Sequence, residues 1–256
     1  MKTGCYCRVS QIEMLVKEGC DFAELSAQEL MKLSESEIMA LKEQLSHRIP
    51  CMVLGDYCPE DLKIAGQGFD EEKNRAYARA VCRRASLLGI KKIAIGCGNA
   101  RTMPLKYTYL TAFRQAVRFF ADTAEIAGEY DICIMIEPLN FNSANFCNTI
   151  HQAVDIIHGV SAENMYLLVD FFHMLMMAEP FCRIEQYGSL IGHVHICGRD
   201  GQDKRRVIVR DDLDMCREAL ACLKNCGYDK TVSLEVPFDL VTEGSLTYFT
   251  GLLKGR

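Results

Sequence analysis

Short apolar runs alternate with longer amphipathic stretches along the chain, with no linker or low-complexity segment between them. This alternation is typical of repeated strand–helix units built around a parallel sheet. The apolar runs predict eight strands, at Lys2–Cys7, Phe22–Leu25, Pro50–Leu54, Lys92–Gly96, Ile132–Ile136, Tyr166–Asp170, Ile191–Ile196 and Thr231–Val236. The amphipathic stretches predict helices at Gln11–Glu18, Gln28–His47, Phe69–Leu88, Thr111–Tyr130, Thr149–His158, Pro180–Gln186, Asp212–Cys226 and Gly244–Lys254.

Eight strands, each followed by a helix, predict an α/β fold of the (β/α)₈ TIM-barrel type. The chain has 256 residues, and barrels of this type usually need roughly 250. An open, doubly wound sheet rarely reaches eight strands and more often carries a glycine-rich turn, G-x-G-x-x-G, after its first strand. The first predicted strand is not followed by one. We therefore expect one barrel domain over residues 1–256.

Charge and cysteine content narrow the class of protein further. The chain carries 29 Lys and Arg against 34 Asp and Glu, a net charge of −5, whereas a nucleic-acid partner usually requires a basic surface. Its apolar runs fall short of the ~20 residues of a membrane span. Most of the fourteen cysteines lie in apolar runs, where a thiol behaves as a small buried hydrophobe. With no secretory signal at the start, this predicts a cytoplasmic protein with reduced cysteines.

Ionisable residues mark the ends of the last four predicted strands. Glu137, Asp170, His195 and Glu235 each lie at or just after a strand end, which is the face where barrels build their active sites. Burying these groups together is unfavourable unless they are paired or bind a cation. Three carboxylates and one imidazole suit Mn²⁺, Mg²⁺ or Co²⁺ better than a structural zinc site. Each residue alone would also suit a salt bridge, so it is the joint pattern that predicts one divalent metal.

Two other histidines lie near these strand ends. His193 is two residues before His195, and because the metal has room for one of them, we interpret His193 as a structural neighbour. His173 follows Asp170 by three residues, beyond the strand end, where it is able to touch a substrate. The remaining histidines, at 47, 151 and 158, fall on predicted helix surfaces or ends.

The motifs at these strand ends resemble those of the sugar phosphate isomerase/epimerase superfamily, the xylose isomerase-like barrels that include ketose 3-epimerases, hydroxypyruvate isomerases and inosose-processing enzymes. They are E-P-L-N at 137–140, D-F-F-H at 170–173, H-V-H-I at 193–196 and S-L-E-V at 233–236. The resemblance implies that Glu137, Asp170, His195 and Glu235 bind the metal, commonly Mn²⁺ in the relatives, with Mg²⁺, Co²⁺ and Zn²⁺ left open. It also implies that Glu137 and Glu235 are the catalytic acid/base pair.

The resemblance further implies that His173 and an arginine after the H-x-H motif, Arg205 or Arg199, bind substrate oxygens. The expected activity is isomerisation or epimerisation of a small sugar or ketose through an enediolate. Ser143 stands where ketose epimerases carry a second glutamate, and the segment after H-x-H lacks their Pro-Gly run, so the substrate stays open. The alternatives are a metal-dependent keto-sugar or inosose dehydratase, a non-catalytic sugar-binding barrel and an abasic-site endonuclease. We expect the protein to bind a small sugar as substrate and to have no nucleic-acid or membrane partner. We also expect it to form a homodimer or homotetramer.

Overall fold

The structure, a computed structural model, describes residues 1–255. Eight strands pair in parallel and close into a barrel in the ring order β1-β10-β7-β6-β5-β4-β3-β2, which confirms the predicted (β/α)₈ fold. These strands are β1 (Lys2–Tyr6), β2 (Phe22–Ser26), β3 (Cys51–Gly55), β4 (Lys92–Ile95), β5 (Cys133–Ile136), β6 (Met165–Asp170), β7 (Ile191–Ile196) and β10 (Thr231–Leu234). Two short strands, β8 (Gly198–Arg199) and β9 (Arg205–Arg206), form an antiparallel ribbon after β7.

Helices connect the strands around the outside of the barrel. They are α1 (Ile12–Lys17), α2 (Ala27–Lys32), α3 (Glu35–Ser46), α4 (Glu71–Leu87), α5 (Tyr109–Gly128), α6 (Ile150–Val160), α7 (Phe171–Met176), α8 (Leu213–Asn225) and α9 (Thr247–Lys254). The longest, α5, buries one face of alanine and phenylalanine side chains against the strands. None of the helices within residues 1–255 is long and apolar enough to cross a membrane.

The predicted single helix over Gln28–His47 is wrong, because the chain breaks between α2 and α3. Leu33 has an extended backbone, and the Ser34 side chain accepts a hydrogen bond from the backbone N–H of Glu37 while Glu37 bonds back to Ser34. This reciprocal cap stabilises a new helix start. The segment predicted as a helix at Pro180–Gln186 forms 3₁₀ turns over Phe181–Leu190 instead.

The barrel interior is filled by a layer of apolar side chains: Phe22, Val53, Ala94, Met135 and Leu168. On the neighbouring strand, Gly4 leaves room for the ring of Phe22, which a Cβ at position 4 would overlap. Ten of the fourteen cysteines are buried and all fourteen are free thiols, as their apolar neighbours predict. That residues 1–256 form one domain stays a prediction.

Candidate active site

A polar layer lies directly above the apolar layer, towards the carboxyl ends of the strands. Glu137 and Asp170 follow Met135 and Leu168 by two residues, and side chains two apart on a strand point to the same face. The sequence that places an apolar residue inside the barrel therefore also places the next carboxylate inside it. The layer comprises the side chains of Glu24, Glu137, Asp170, His193, His195 and Glu235, of which only Glu235 is not fully buried.

The four residues predicted as metal ligands are brought together at this level. One polar atom from each of Glu137, Asp170, His195 and Glu235 lies within 4.8 Å of the other three. His195 Nδ1 lies 3.1 Å from Glu235 Oε2 and 3.4 Å from Glu137 Oε1. It lies 3.9 Å from Asp170 Oδ2. An ion with ligands at about 2.1 Å places opposite ligands about 4.2 Å apart, so this spacing suits one divalent cation.

Unpartnered atoms in this cluster provide a test of whether it fits a metal. Glu137 Oε1, His195 Nδ1 and Glu235 Oε2 are buried polar atoms without a hydrogen bond, although Glu235 Oε2 has an ion-pair partner in Arg205 Nη2 at 3.0 Å. Such atoms are unfavourable in a protein interior unless something else satisfies them. All three point into the space enclosed by the cluster, and their donor set of carboxylate oxygens and one imidazole nitrogen suits a hard or borderline divalent ion. The residues therefore fit the metal that the sequence predicts.

The local backbone and its neighbours orient two of these carboxylates. Asp170 ends β6 and also caps α7, because its Oδ1 accepts hydrogen bonds from the backbone N–H groups of Phe172 and His173. Its Oδ2 is thereby left facing the cluster. Directly after β4, Gly96 makes room for Glu137, since a Cβ at position 96 would overlap Glu137 Oε2.

His173 lies beside the cluster on α7, the short helix that the sequence analysis did not predict. The backbone N–H of Asn140 donates to its Nδ1 over 3.2 Å. Its other ring nitrogen, Nε2, lies 3.1 Å from Arg205 Nη2. Nε2 also lies 3.9 Å from Glu137 Oε1 and 4.0 Å from Asp170 Oδ2, so it faces the cluster, where it is able to contact a substrate oxygen.

The β8–β9 ribbon carries Arg205 into the site and leaves Arg199 outside. Arg205 Nη2 lies 2.5 Å from Asp170 Oδ2 and 3.0 Å from Glu235 Oε2. Its guanidinium lies over the ring of Phe172, 4.5 Å from the centroid. Arg199 instead pairs with Asp203 on the exposed turn of the ribbon. Of the two arginines that the sequence left open, Arg205 is the one in contact with the site.

Burial and neighbouring charges shift the titration of these groups. Burial raises the pKa of Glu137 to about 7, although the nearby His195 imidazole opposes it. Burial also acts to raise the pKa of Asp170, but Arg205 and the nearby imidazoles outweigh it and hold that pKa well below its usual range. Burial lowers the pKa of His173 to about 4, so its ring is neutral near pH 7.

Glu24 is a functional candidate that the sequence analysis missed. It lies on β2, is fully buried, and contacts the Nε2 atoms of both His193 and His195. His193 is likewise fully buried and does not reach the four-residue cluster, in line with the structural role predicted for it. The available signal was a glutamate inside the apolar run Phe22–Leu25, two residues after the inward-facing Phe22.

A cavity of about 320 Å³ opens above the cluster, within the size range of small-molecule sites. Besides the groups already described, it is lined by Tyr6, Asp56, Cys97, Leu139, Ser143 and Phe172. A larger cavity of about 730 Å³ lies between α8 and α9. Its lining contains no carboxylate or imidazole within residues 1–255, so it offers no comparable chemistry.

Known proteins of similar sequence and structure are sugar epimerases and related barrels. A D-psicose 3-epimerase from Ruminiclostridium cellulolyticum is 27% identical over 238 residues, covering 89% of this chain and 77% of that protein. A solved D-psicose 3-epimerase with D-tagatose, from Clostridium cellulolyticum H10, superimposes with a TM-score of 0.80 at 20% identity, covering 99% of this chain and 96% of the other.

An IOLI protein with a binding zinc atom superimposes with a TM-score of 0.77 at 20% identity, over 100% of this chain and 97% of the other. At that identity the likeness establishes the fold alone. The family comparison goes further, because the profile of the xylose isomerase-like TIM barrels matches residues 12–247. The chain therefore belongs to the xylose isomerase-like TIM barrel family.

Proposed function

We propose that the protein is a divalent-metal-dependent epimerase or isomerase of a small ketose, with Mn²⁺ as the metal. The observation that carries the proposal is the convergence of Glu137, Asp170, His195 and Glu235, three of which present buried atoms without a hydrogen bond. The relatives in sequence, D-psicose and L-ribulose 3-epimerases at 23–27% identity, support the same class of activity.

The residues around the cluster are suited to hold a polyhydroxylated substrate. A divalent cation bound there would supply Lewis-acid polarisation of a substrate carbonyl. His173 presents Nε2 to the same space, and Arg205 presents its guanidinium at the outer edge. Both side chains suit contacts with substrate oxygens. Phe172, beneath Arg205, covers one side of the cavity and helps to exclude water.

Glu137 and Glu235 are proposed as the proton-transfer pair. One carboxylate removes the proton from the carbon next to the carbonyl, and the C–H electron pair moves into an enediolate. The other, in its protonated form, returns a proton to that carbon from the opposite face in an epimerase. In an isomerase it returns the proton to the neighbouring carbon, and the substrate's hydroxyl proton moves to the former carbonyl oxygen. After each turnover one glutamate has gained a proton and the other has lost one, so the two have exchanged protonation states.

The test is deuterium incorporation from D₂O by the Mn²⁺-loaded protein, followed by NMR with D-psicose, D-fructose, L-ribulose and hydroxypyruvate. We expect uptake at the carbon next to the carbonyl with at least one ketose. Glu235→Gln keeps the shape of the side chain but removes its basicity, so uptake should fall by 10²-fold or more, within the ~10²–10⁴ typical of general acid–base catalysis.

Glu243→Gln is the matched control, because Glu243 is exposed and lies outside the site; it should exchange at the wild-type rate. Full activity in Glu235→Gln would remove that residue from the mechanism. Uptake accompanied by loss of water from the sugar would indicate a dehydratase. Binding of a sugar without any uptake would indicate a sugar-binding barrel.

A further inference from the structure

A chain of hydrogen bonds runs through the barrel interior from its lower end to the candidate metal site. Lys92 Nζ lies 2.9 Å from Thr231 Oγ1, and Thr231 Oγ1 lies 2.8 Å from His193 Nδ1. His193 Nε2 lies 3.0 Å from Glu24 Oε2. Glu24 also contacts His195 Nε2, at 3.0 Å from Oε1 and 3.2 Å from Oε2.

The two ends of this chain set the direction of every hydrogen bond in it. A lysine ammonium has only donors and an ionised carboxylate has only acceptors. Lys92 therefore donates to Thr231, which leaves the threonine hydroxyl hydrogen free to donate to His193 Nδ1. His193 is then the tautomer that carries its proton on Nε2, and it donates that proton to Glu24.

The same reasoning determines which nitrogen of His195 is free. Because Glu24 only accepts, His195 must donate from Nε2, and in the neutral ring that binds a metal the lone pair is then on Nδ1. Nδ1 is the atom that faces Glu137 and Glu235 and has no hydrogen-bond partner. Carboxylates that accept from the distal nitrogen of a metal-binding histidine hold its ring in the binding orientation.

Packing around Glu24 keeps its carboxylate in place. The side chain is fully buried, and a Cβ at Gly55 would come within 2.9 Å of its Oε1. Glycine at position 55 thus provides the space that the carboxylate fills. Within residues 1–255, the hydrogen bonds of the Glu24 carboxylate go to the two imidazoles alone.

We propose that Glu24 is a positioning residue of the metal site, which fixes the Nε2–H tautomer of His195 so that Nδ1 binds the metal, and which is itself oriented by His193, Thr231 and Lys92. This inference rests on the metal site of the proposed function. Glu24 lies outside the group of Glu137, Asp170, His195 and Glu235, so we expect it to act through His195.

The decisive measurement is made on the zinc-loaded protein, because Zn²⁺ is diamagnetic. Long-range ¹H–¹⁵N NMR of histidine-labelled protein reports which ring nitrogen carries the proton, and single-histidine variants assign the signals. We expect His195 and His193 both to be protonated at Nε2, with His195 bound to zinc through Nδ1. A proton on Nδ1 of His195, or zinc at its Nε2, would overturn the inference without any substitution having been made.

Zinc titration by calorimetry provides the second measurement. Glu24→Gln keeps the volume but replaces one acceptor with an amide donor, which opposes an imidazole N–H. We expect zinc affinity to fall roughly 10- to 100-fold, as for other residues that orient a metal-binding histidine. Glu29→Gln, on the helix that follows β2, should bind zinc as the wild type does.

Thr231→Val removes only the hydroxyl from the chain and leaves Glu24 present, so its loss of affinity should be smaller than that of Glu24→Gln. Equal zinc affinity in Glu24→Gln and the wild type would overturn the inference and leave the metal site standing. A wild-type protein that binds no zinc would contradict the metal site itself, and the inference with it.

Discussion

Glycines beside the buried carboxylates explain how so many charged groups fit inside one barrel. Gly55 lies against Glu24 and Gly96 lies against Glu137, and at both positions a Cβ would intrude on a carboxylate oxygen. Neither glycine has the positive φ that usually accounts for this residue in a turn. Both are therefore explained by the close approach of a side chain from a neighbouring part of the barrel.

Gly96→Ala tests this explanation. The added methyl group would overlap Glu137 Oε2 and come within 3.2 Å of its Cδ, so the carboxylate must move away from the other ligands. Since a displacement of about 1 Å can cost roughly 10²-fold in rate, we expect a loss of about that size in kcat/KM, together with weaker metal binding. Steady-state kinetics and calorimetry would measure both.

Gly201→Ala is the matched control for this substitution. Gly201 lies in the exposed turn of the β8–β9 ribbon, and a Cβ there would meet no atom within 4 Å. Its kinetics and metal affinity should equal those of the wild type. Wild-type kinetics in Gly96→Ala as well would contradict the role assigned to that close approach.

The β8–β9 ribbon is the element that completes the site from outside the barrel. Arg206 anchors it, because its guanidinium lies 2.5 and 3.1 Å from the two carboxylate oxygens of Asp212. The neighbouring Arg205 then points inward to Asp170 and Glu235. Successive residues of a strand face opposite sides, so Arg205 and Arg206 reach different partners, Arg205 the site and Arg206 the carboxylate of Asp212.

Arg205→Ala is expected to lower kcat/KM roughly 10- to 100-fold, the equivalent of a charge-assisted hydrogen bond of about 1.5–3 kcal/mol. The loss follows from the missing guanidinium at the edge of the cavity, and circular dichroism should show an intact fold. Arg199→Ala breaks only an exposed ion pair with Asp203 and should leave the kinetics unchanged. The opposite result, with Arg199→Ala impaired and Arg205→Ala active, would reassign the substrate-binding arginine.

Closure of the barrel is what concentrates these charges. It brings Glu24 against His193 and His195, which lie 169 and 171 residues further along the chain. Burial by itself raises the pKa of Glu24, yet the two imidazoles hold it well below its usual range. Burial alone would lower the pKa of His195, but Glu24 and Glu235 raise it well above its ordinary value. The metal-free site thus holds protons that a metal must displace.

Metal affinity should therefore depend on pH in a defined direction. Below its raised pKa, His195 carries a proton on Nδ1, and below pH 7 Glu137 is also protonated in part. Both protons must leave when the cation binds, so affinity falls as pH falls, by roughly tenfold per pH unit for each proton released. The fall should become steeper below pH 7, where Glu137 adds the second proton.

Calorimetric Mn²⁺ titrations between pH 6 and 8.5, in buffers of different ionisation enthalpy, would count these protons. Glu243→Gln, exposed and outside the site, is the control and should show the pH dependence of the wild type. An affinity that is constant across this range would contradict the assignment of His195 and Glu137 as ligands.

The sequence by itself determined the fold and the axial position of the strand-end residues. The alternation of apolar runs and amphipathic stretches follows the strand–helix repeat of the barrel. The spacing of residues along each strand places Glu137 and Asp170 on its inner face. The helix break at Ser34 also has a local cause, a capping box. The sequence analysis missed it because the whole stretch Gln28–His47 has a charged, helix-favouring composition. The strand–helix repeat and the inward placement of the carboxylates depend on residues a few positions apart, which is why the chain alone reveals them.

Only the tertiary structure decided which distant groups meet. Glu24 looks like an ordinary strand residue until β2 and β7 face each other across the barrel, and Arg205 is one of several arginines until the ribbon turns it inward. Such contacts depend on ring closure and on the path of a loop, which no local period encodes. The physical reason is that a side chain's chemistry follows from its neighbours in space, whereas the sequence lists only its neighbours along the chain.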